Sequence, residues 1–437
     1  MIARLRGLLQ KPLARDIFIL YAVRTVNQLL PLATIPYLAR VLGPAEWGMV
    51  AVAQAFAMYG IITIQYGFDM AATREVARHR HDPAHLGELM GGILACQLML
   101  SGLVAVAAWL ASISVPVFAD EPRLIHVALA FVIIQGMGLG WYFTGMERIS
   151  LMAGIELPTK LACVAAIFWM VEGPGHGWRV LAAYGGAAAL AAAIEYTLML
   201  RHISPRRPGL TRVRETFRLG FSVFVMQISN LINTAGSAFL LSLLATPQQV
   251  AYFAAPDKLA RPLAWLTAPI NRVLLPRISH LLLHRPDQAH AMARISLLVL
   301  LLVGLGFCLF VTLLAPWLIA LVFGPDYEEA APVLRVLALI IPLSILTDAL
   351  AAQWLIPHGL DRPLSLTILA AAVLAVGLAL VVVPAYHALG MAWVIVFVEL
   401  FILAGQLLTL AYHRRRIFAG RASGPAARQP ITSHPRS

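Results

Sequence analysis

The sequence predicts an all-α polytopic membrane protein of about twelve transmembrane helices, and three observations support this fold class. First, the 437 residues are 60% hydrophobic and only 12% charged, with a mean hydropathy of +0.79. A soluble chain of this length could not cover so much apolar surface with polar side chains. Second, apolar runs long enough to cross a bilayer, such as Leu297–Ala315 and Leu364–Val383, recur along the chain. Third, the segments between these runs alternate between rich and poor in basic residues.

Polar, proline and glycine breaks divide the apolar runs into two sets of six. The first run, Ile17–Leu42, is longer than the apolar part of a signal peptide, so we expect it to be retained as a helix. The predicted spans of the first half are 17–42, 47–68, 86–114, 124–145, 153–171 and 178–200. Those of the second half are 217–244, 249–275, 293–322, 332–356, 363–383 and 388–412.

The basic residues test this topology independently of hydropathy. With the N-terminus inside, the predicted cytoplasmic segments hold 24 of the 33 Lys and Arg residues, whereas the predicted outer loops hold only Arg123 and Arg179. Omitting one span would invert every later loop and remove this asymmetry. The sequence therefore predicts a multi-pass protein of the inner (cytoplasmic) membrane with both termini in the cytoplasm.

A basic, proline-rich segment at 201–216 separates the two predicted halves. We expect an N-lobe at 1–200, a cytoplasmic linker at 201–216, a C-lobe at 217–412 and a disordered basic tail at 413–437. An ungapped alignment of the two halves at an offset of 203 residues pairs Asn27 with Asn230 and Pro44 with Pro247. Six spans in each half give both halves the same orientation, as a parallel repeat requires. The two halves are then either lobes that rock about a site between them or similar hairpins without mechanical meaning.

Several function classes are disfavoured by the residues themselves. Cys96, Cys163 and Cys308 lie inside apolar runs without CxxC spacing, and the histidines show no HExxH spacing, so no metal site is expected. No nucleophile–base pattern occurs and no loop could hold a catalytic domain, which predicts a transporter without a cofactor rather than an enzyme. The net charge of +12 is explained by the cytoplasmic loops, so no nucleic-acid partner is expected.

Charged residues at membrane depth are functional candidates because burying them there is costly. The strongest case is span eight, where the helical rise puts Asp257, Lys258 and Arg261 near the midplane. Lys258 and Arg261 are three residues apart and share a helix face, whereas Asp257 and Arg261 are four apart and can pair. The segment is either an anion-binding face or an ion pair beside a lysine that extends towards the membrane surface.

Span one adds two candidates for a substrate-binding site. Arg24 lies about 12 Å from the inner end of the span by helical rise, where it either faces a cavity or reaches the headgroups. Asn27 follows three residues later in the same span. We therefore expect Arg24, Asn27, Lys258 and Arg261 to bind substrate.

Four residues are candidates for coupling or gating. Asp69 and Arg74 close span two at its inner end and form either a gate or a structural network at the membrane surface. Glu399 is a lone carboxylate about 16 Å from the outer end of span twelve, either a proton-exchanging group or a hydrogen-bonded structural acid. Asp257 completes the set through its expected pairing with Arg261.

Other charges within the spans have simpler explanations. Glu156 and Lys160 stand four residues apart in span five, which predicts a plain intrahelical ion pair. Glu195 and Asp348 are lone carboxylates in spans six and ten. Glycines such as Gly136 lie within apolar runs and are expected to allow close helix packing.

Four segments spread over both halves resemble one family of membrane proteins. They are Pro36–Gly48 (PYLARVLGPAEWG), Tyr66–Ala77 (YGFDMAATREVA), Tyr252–Arg261 (YFAAPDKLAR) with Leu275–Ser279, and Phe323–Ala338 (FGPDYEEAAPVLRVLA). In this order they are similar to the polysaccharide repeat-unit flippases (Wzx type) of the multidrug/oligosaccharidyl-lipid/polysaccharide exporter superfamily.

The resemblance implies two pseudo-symmetric six-helix lobes, as in MATE transporters, around an alternately open cavity. It implies that an undecaprenyl-pyrophosphate-linked oligosaccharide moves from the inner to the outer leaflet of a bacterial inner membrane, with polysaccharide polymerase and export proteins as possible partners. Lys258 and Arg261 occupy the family's Lys-x-x-Arg position, and Arg24 occupies a cationic position often found in span one. Two alternatives stay open: a peptidoglycan lipid-precursor flippase, and a multidrug or cation antiporter of the same fold, whose cavity would be acidic and aromatic rather than basic.

Overall fold

The computed structural model describes residues 12–234 and 236–414, with side chains described at 33–228 and 236–414. Within these ranges the regular structure is helical and contains no β-strand. Eight helical segments there are long and apolar enough to cross a membrane. The predicted all-α, multi-pass fold class is confirmed.

The first half begins with a long helix, α1, at Pro12–Gln65. At Gly43 the helix has φ 74° and ψ 169°, a left-handed conformation that favours glycine, and this kink separates predicted spans one and two. The helices that follow are α2 (Phe68–Arg78), α3 (Pro83–Ser114), α4 (Pro116–Asp120), α5 (Pro122–Gly136), α6 (Gly140–Gly145), α7 (Ile149–Met170) and α8 (Gly177–Leu200).

The second half repeats this use of broken and kinked helices. Its helices are α9 (Leu210–Thr234), α10 (Gly236–Leu244), α11 (Pro247–Trp265), α12 (Ala268–His284), α13 (Pro286–Val322), α14 (Ala330–Ala338), α15 (Ile340–Leu350) and α16 (Asp361–Tyr412). A π-helical turn at Ala351–Leu355 and a 3-10 turn at Ile356–His358 extend α15. The last helix, α16, is interrupted at His387, between predicted spans eleven and twelve.

Two details differ from the predicted boundaries. The linker is helical from Leu210 onward, and its preceding stretch is docked on α3, where Arg206 N donates to the Gly87 carbonyl at 3.0 Å. The predicted tail at 413–437 lies outside the described residues from 415 onward.

The chain forms two compact units that differ from the two sequence halves. The first comprises residues up to Pro256, with Pro316–Val333 and Ala379–Met391. Its core includes a cluster around Phe68, Met90 and Tyr142. The second unit comprises Asp257–Ala315, Leu334–Leu378 and the residues from Ala392 on, and it has its own buried cluster.

Small residues allow the helices of the first unit to approach closely. A Cβ added at Gly136 of α5 would lie 2.8 Å from the side chain of Ile64 on α1. A Cβ at Gly145 of α6 would lie 2.7 Å from Val76 on α2. Both distances are too short for a real contact, so these positions require glycine. The predicted packing role of Gly136 is confirmed.

Candidate functional site

Two charged regions stand out, one in each unit, and the first is on α11. Arg261 Nε donates to both carboxylate oxygens of Asp257, at 2.6 and 2.8 Å. The side chains are only 16% and 20% exposed, so little water screens the pair. The predicted ion pair between residues four apart is confirmed.

The guanidinium of Arg261 is not fully used by this pair. Its Nη2 atom is buried and has no hydrogen-bond partner within the described residues. Lys258 lies three residues earlier on the same helix, is partly buried and has an interaction of its own. With one carboxylate and two cations, the segment carries a net positive charge. The buried Nη2 donor of Arg261 is therefore suited to bind an acceptor atom that a ligand supplies.

Glu399 of α16 belongs to the same unit and is held by two hydroxyl groups of α15. Ser344 Oγ donates to Glu399 Oε1 at 2.8 Å, and Thr347 Oγ1 donates to Oε2 at 3.4 Å. Glu399 also lies near enough to Arg261 for their opposite charges to interact, and Asp348 lies near enough to Glu399 for their like charges to interact. Ser344 and Thr347 were not predicted, because no sequence spacing connects a hydroxyl on span ten to a carboxylate on span twelve.

The second region is a cavity of about 1000 Å³ inside the first unit. All its lining residues lie between Thr34 and Glu195, so it is built from the first six predicted spans alone. Asp69 and Arg74, the predicted gating residues on α2, both line it. Glu156, Lys160 and Glu195 line it as well, although the sequence did not single them out as site residues.

Asp69 is joined to a helix of the second sequence half. Gln227 Nε2 of α9 donates to Asp69 Oδ1 at 3.2 Å and to Oδ2 at 3.1 Å. One turn later, Thr73 Oγ1 donates to the Trp141 carbonyl of α6 at 3.1 Å. Gln227 was not predicted, because which face of α9 meets α2 depends on packing that a single sequence does not show.

Three further charged side chains of the cavity are held in place by contacts of their own. Lys160 Nζ is 3.7 Å from Glu156 Oε2, which confirms the predicted intrahelical pair and shows that it faces the cavity. Glu195 is 7% exposed, and its Oε2 accepts a hydrogen bond from the Leu139 main-chain N–H at 2.8 Å. This bond fixes the turn between α5 and α6.

The lining of this cavity is mixed in charge. Three carboxylates (Asp69, Glu156 and Glu195) face two cations (Arg74 and Lys160), with aromatic rings such as Trp141 among them. From the sequence, a flippase is expected to have a basic cavity and an antiporter an acidic one. That expectation refers to a cavity between the two sequence halves. The observed cavity lies within the first sequence half.

Two of the four predicted substrate-binding residues belong to span one. Arg24 and Asn27 fall on α1, but their side chains lie outside the described residues. The α11 segment is therefore the part of the predicted substrate site whose geometry is known.

Comparison with known proteins gives the family. The family described as "Polysaccharide biosynthesis protein" matches residues 13–282, more than half of the chain. This match includes the cavity helices and the α11 charges. The chain belongs to the polysaccharide biosynthesis protein family.

Similar proteins agree with this membership. The chain is 25% identical to a "Putative O-antigen transporter" of Escherichia coli K12 over 83% of its own length and 88% of the relative's. It is 24% identical to a protein of the same description from Shigella dysenteriae over 90% of its own length and 98% of the relative's.

Solved structures share the fold at low sequence identity. The inward closed conformation of the lipid II flippase MurJ matches with a TM-score of 0.68 at 12% identity, covering 90% of this chain and 87% of that one. An inward-facing MATE transporter matches with a TM-score of 0.64 at 17% identity, covering 91% and 96%. The resemblance to Wzx-type flippases is confirmed. This member of the polysaccharide biosynthesis protein family is a multi-pass membrane transporter of the flippase type, not an enzyme.

Proposed function

We propose that the protein translocates undecaprenyl-pyrophosphate-linked oligosaccharide repeat units, destined for O-antigen, capsule or exopolysaccharide, from the inner to the outer leaflet of the bacterial cytoplasmic membrane by alternating access. Membership of the polysaccharide biosynthesis protein family and the likeness to two O-antigen transporters support this substrate class. The glycan headgroup cannot cross hydrocarbon unaided, because each of its hydroxyl groups would lose its hydrogen bonds to water.

The observation that carries the proposal is the buried Arg261 Nη2 atom without an acceptor, next to the charge of Lys258. A pyrophosphate supplies several anionic oxygens, and a guanidinium binds such oxygens through parallel N–H donors. Arg261 uses Nε to hold Asp257 and keeps Nη2 for the ligand. Lys258 would add a second cation on the same helix face. Arg24 and Asn27 remain proposed contributors from span one.

Alternating access is proposed to use the following topology. Both termini and the 201–209 segment lie in the cytoplasm, and the two sequence halves act as the lobes that open alternately. Asp69 and Gln227 come from different halves, and their hydrogen bonds make them suitable as one gate contact. Arg74 would act beside them from the cavity wall.

Coupling is assigned to the charges around Glu399. A carboxylate between hydroxyl donors and a cation can change its partners as it gains or loses a proton. Glu399 contacts Ser344 and Thr347 and interacts with Arg261, so its protonation would alter the charge next to the proposed pyrophosphate site.

Complementation in the native host, with the chromosomal copy removed, tests the proposal. A hydrogen bond from a charged donor is worth about 1.5–3 kcal/mol, which is roughly a ten- to hundred-fold change in binding. We therefore expect Lys258→Ala to reduce surface polysaccharide by about that factor and to cause lipid-linked repeat units to accumulate. Arg272→Ala is the matched control, since Arg272 is exposed on the neighbouring helix α12.

The outcomes separate the alternatives. Normal export by Lys258→Ala at normal protein abundance would remove Lys258 from the site. Accumulation of peptidoglycan precursor on loss of the protein would indicate a peptidoglycan lipid-precursor flippase. Drug sensitivity without any accumulated lipid intermediate would indicate an antiporter.

A further inference from the structure

The end of α2 and the start of α3 bring a carboxylate and two imidazoles together at a place that the proposed transport function does not use. Glu75 lies in the last turns of α2, His79 follows directly after that helix, and His85 lies in the first turn of α3. Glu75 Oε1 is 3.3 Å from His79 Nδ1 and 3.2 Å from His85 Nε2. The three atoms all lie within 4.8 Å of one another.

We propose that Glu75, His79 and His85 bind a divalent transition-metal ion, with Zn²⁺ as the best match. Zinc–ligand distances of about 2.0–2.2 Å in a tetrahedral site place neighbouring ligand atoms roughly 3.3–3.5 Å apart. Two of the three separations in the protein already have nearly this value. Two nitrogen donors out of three select against Mg²⁺ and Ca²⁺, which prefer oxygen.

The cluster is accessible to a hydrated ion and is held in place by its surroundings. The side chains of His79, Glu75 and His85 are 39%, 23% and 25% exposed. Asp82 Oδ1 accepts hydrogen bonds from the main-chain N–H groups of Ala84 and His85, at 3.1 and 3.0 Å, which fixes the start of α3. The two imidazole rings stack with their centroids 4.1 Å apart.

The proposed binding requires one particular tautomer of His79. His79 Nδ1 also lies 3.2 Å from the main-chain oxygen of Glu75, to which it can donate when it carries the proton. Coordination through Nδ1 needs a lone pair there, so the ion selects the tautomer with the proton on Nε2. The nearby cation Arg80 offers little opposition, because both its terminal nitrogens pair with Glu147 at 2.8 Å.

Three protein ligands leave a fourth position for water or an external ligand. The ion would join the end of α2 to the start of α3. Because α2 also carries Asp69 and Arg74 of the cavity wall, occupancy would restrict the motion of that wall. This consequence concerns metal control of the transporter and does not depend on which lipid is transported.

Calorimetric titration of ZnCl₂ into the full chain, purified in detergent through a tag without histidine, tests the site. We expect one Zn²⁺ per chain and a midpoint of thermal unfolding that rises with Zn²⁺. Glu75→Gln, His79→Asn and His85→Asn should each weaken binding by at least about tenfold. His81→Asn is the matched control, because His81 is an exposed imidazole of the same turn and should leave binding unchanged.

Co²⁺ provides a second readout that does not depend on stability. The wild-type protein should show the visible absorption of a tetrahedral cobalt site, and His85→Asn, folded as judged by size-exclusion chromatography, should not. Unchanged Zn²⁺ binding in His85→Asn, an equal loss in His81→Asn, or no binding by the folded wild-type chain would each overturn the proposal.

Discussion

The contacts of single side chains decide whether a charge within the spans is structural or available for a ligand. Glu156 and Lys160 pair with each other, and Glu195 binds the Leu139 N–H. Arg261 differs, because its pairing with Asp257 leaves Nη2 buried without an acceptor in the described part of the chain. A buried donor without an acceptor lowers the stability of the unliganded protein. A bound anion would accept its hydrogen bond and remove this cost.

Glu399 offers a test of coupling at the same scale. The change Glu399→Gln keeps one side-chain oxygen that can accept from Ser344 and places an NH2 group, which can donate, near Thr347 Oγ1, but it removes the ability to exchange a proton. We expect this variant to reach normal abundance in the membrane and to export polysaccharide at least about tenfold more slowly, since coupling needs the acid. Surface polysaccharide, normalised to protein on an immunoblot, measures the effect.

A purely structural role predicts a different pattern. Glu399→Gln would then export normally, and only Glu399→Ala, which removes both acceptors, would lower export together with abundance. Ser344→Ala is the control for loss of one hydrogen bond without loss of the acid.

The sequence predicted these residues unevenly. The Asp257–Arg261 and Glu156–Lys160 pairs were predictable because residues four apart on a helix are always neighbours. The contacts of Asp69 with Gln227 and of Glu399 with Ser344 were not, because they depend on the rotation of distant helices about their axes. The cluster of Glu75, His79 and His85 was missed because its spacing matches no common metal-binding motif.

Individual helices show where the chain needs glycine. Gly43 forms the kink that divides α1, at the place where a Gly-Pro pair interrupts the first two apolar runs. Gly136 brings α5 against Ile64 of α1. The kink was predictable from local sequence, whereas the partner of Gly136 was not, because only tertiary packing selects it.

Substitution at Gly136 tests this packing. The new Cβ of Gly136→Ala would meet Ile64 at 2.8 Å, so one helix must shift. We expect a loss of about 1–3 kcal/mol, the usual cost of overpacking, seen as a lower midpoint of thermal unfolding in detergent.

Gly102→Ala is the matched control on α3, because nothing lies within 4 Å of its added Cβ. Replacing glycine by alanine within a helix should there raise stability by roughly 0.5–1 kcal/mol. Equal effects of the two substitutions would contradict the packing account.

At the scale of the whole molecule the sequence predicted the fold class best, since the length of an apolar span is set by the bilayer itself. The described helices account for all twelve predicted spans, although only eight segments meet a criterion of length and hydropathy alone. Two long helices each contain two predicted spans, and α9 to α12 are broken and more polar. Predicting the number of spans therefore required the charge asymmetry of the loops in addition to hydropathy.

Cysteine labelling in intact cells tests the proposed orientation. In a variant with Cys96, Cys163 and Cys308 replaced by alanine, we expect Glu172→Cys to react with a membrane-impermeant maleimide from outside. Arg207→Cys should react only after the membrane is opened, because the basic segment lies in the cytoplasm. Both positions are exposed in the protein, so a lack of labelling would not reflect burial. The opposite pattern would invert the topology.

Translocation in proteoliposomes tests the central claim most directly. The purified chain would be reconstituted with a polyprenyl-pyrophosphate-linked oligosaccharide, and the rate at which the glycan reaches the opposite leaflet would be measured. The account predicts rapid translocation by the wild-type protein and Arg272→Ala, and a loss of at least about tenfold when Lys258→Ala and Arg261→Ala are combined. Translocation at the wild-type rate by that folded double variant would contradict the assignment of these two cations to the pyrophosphate.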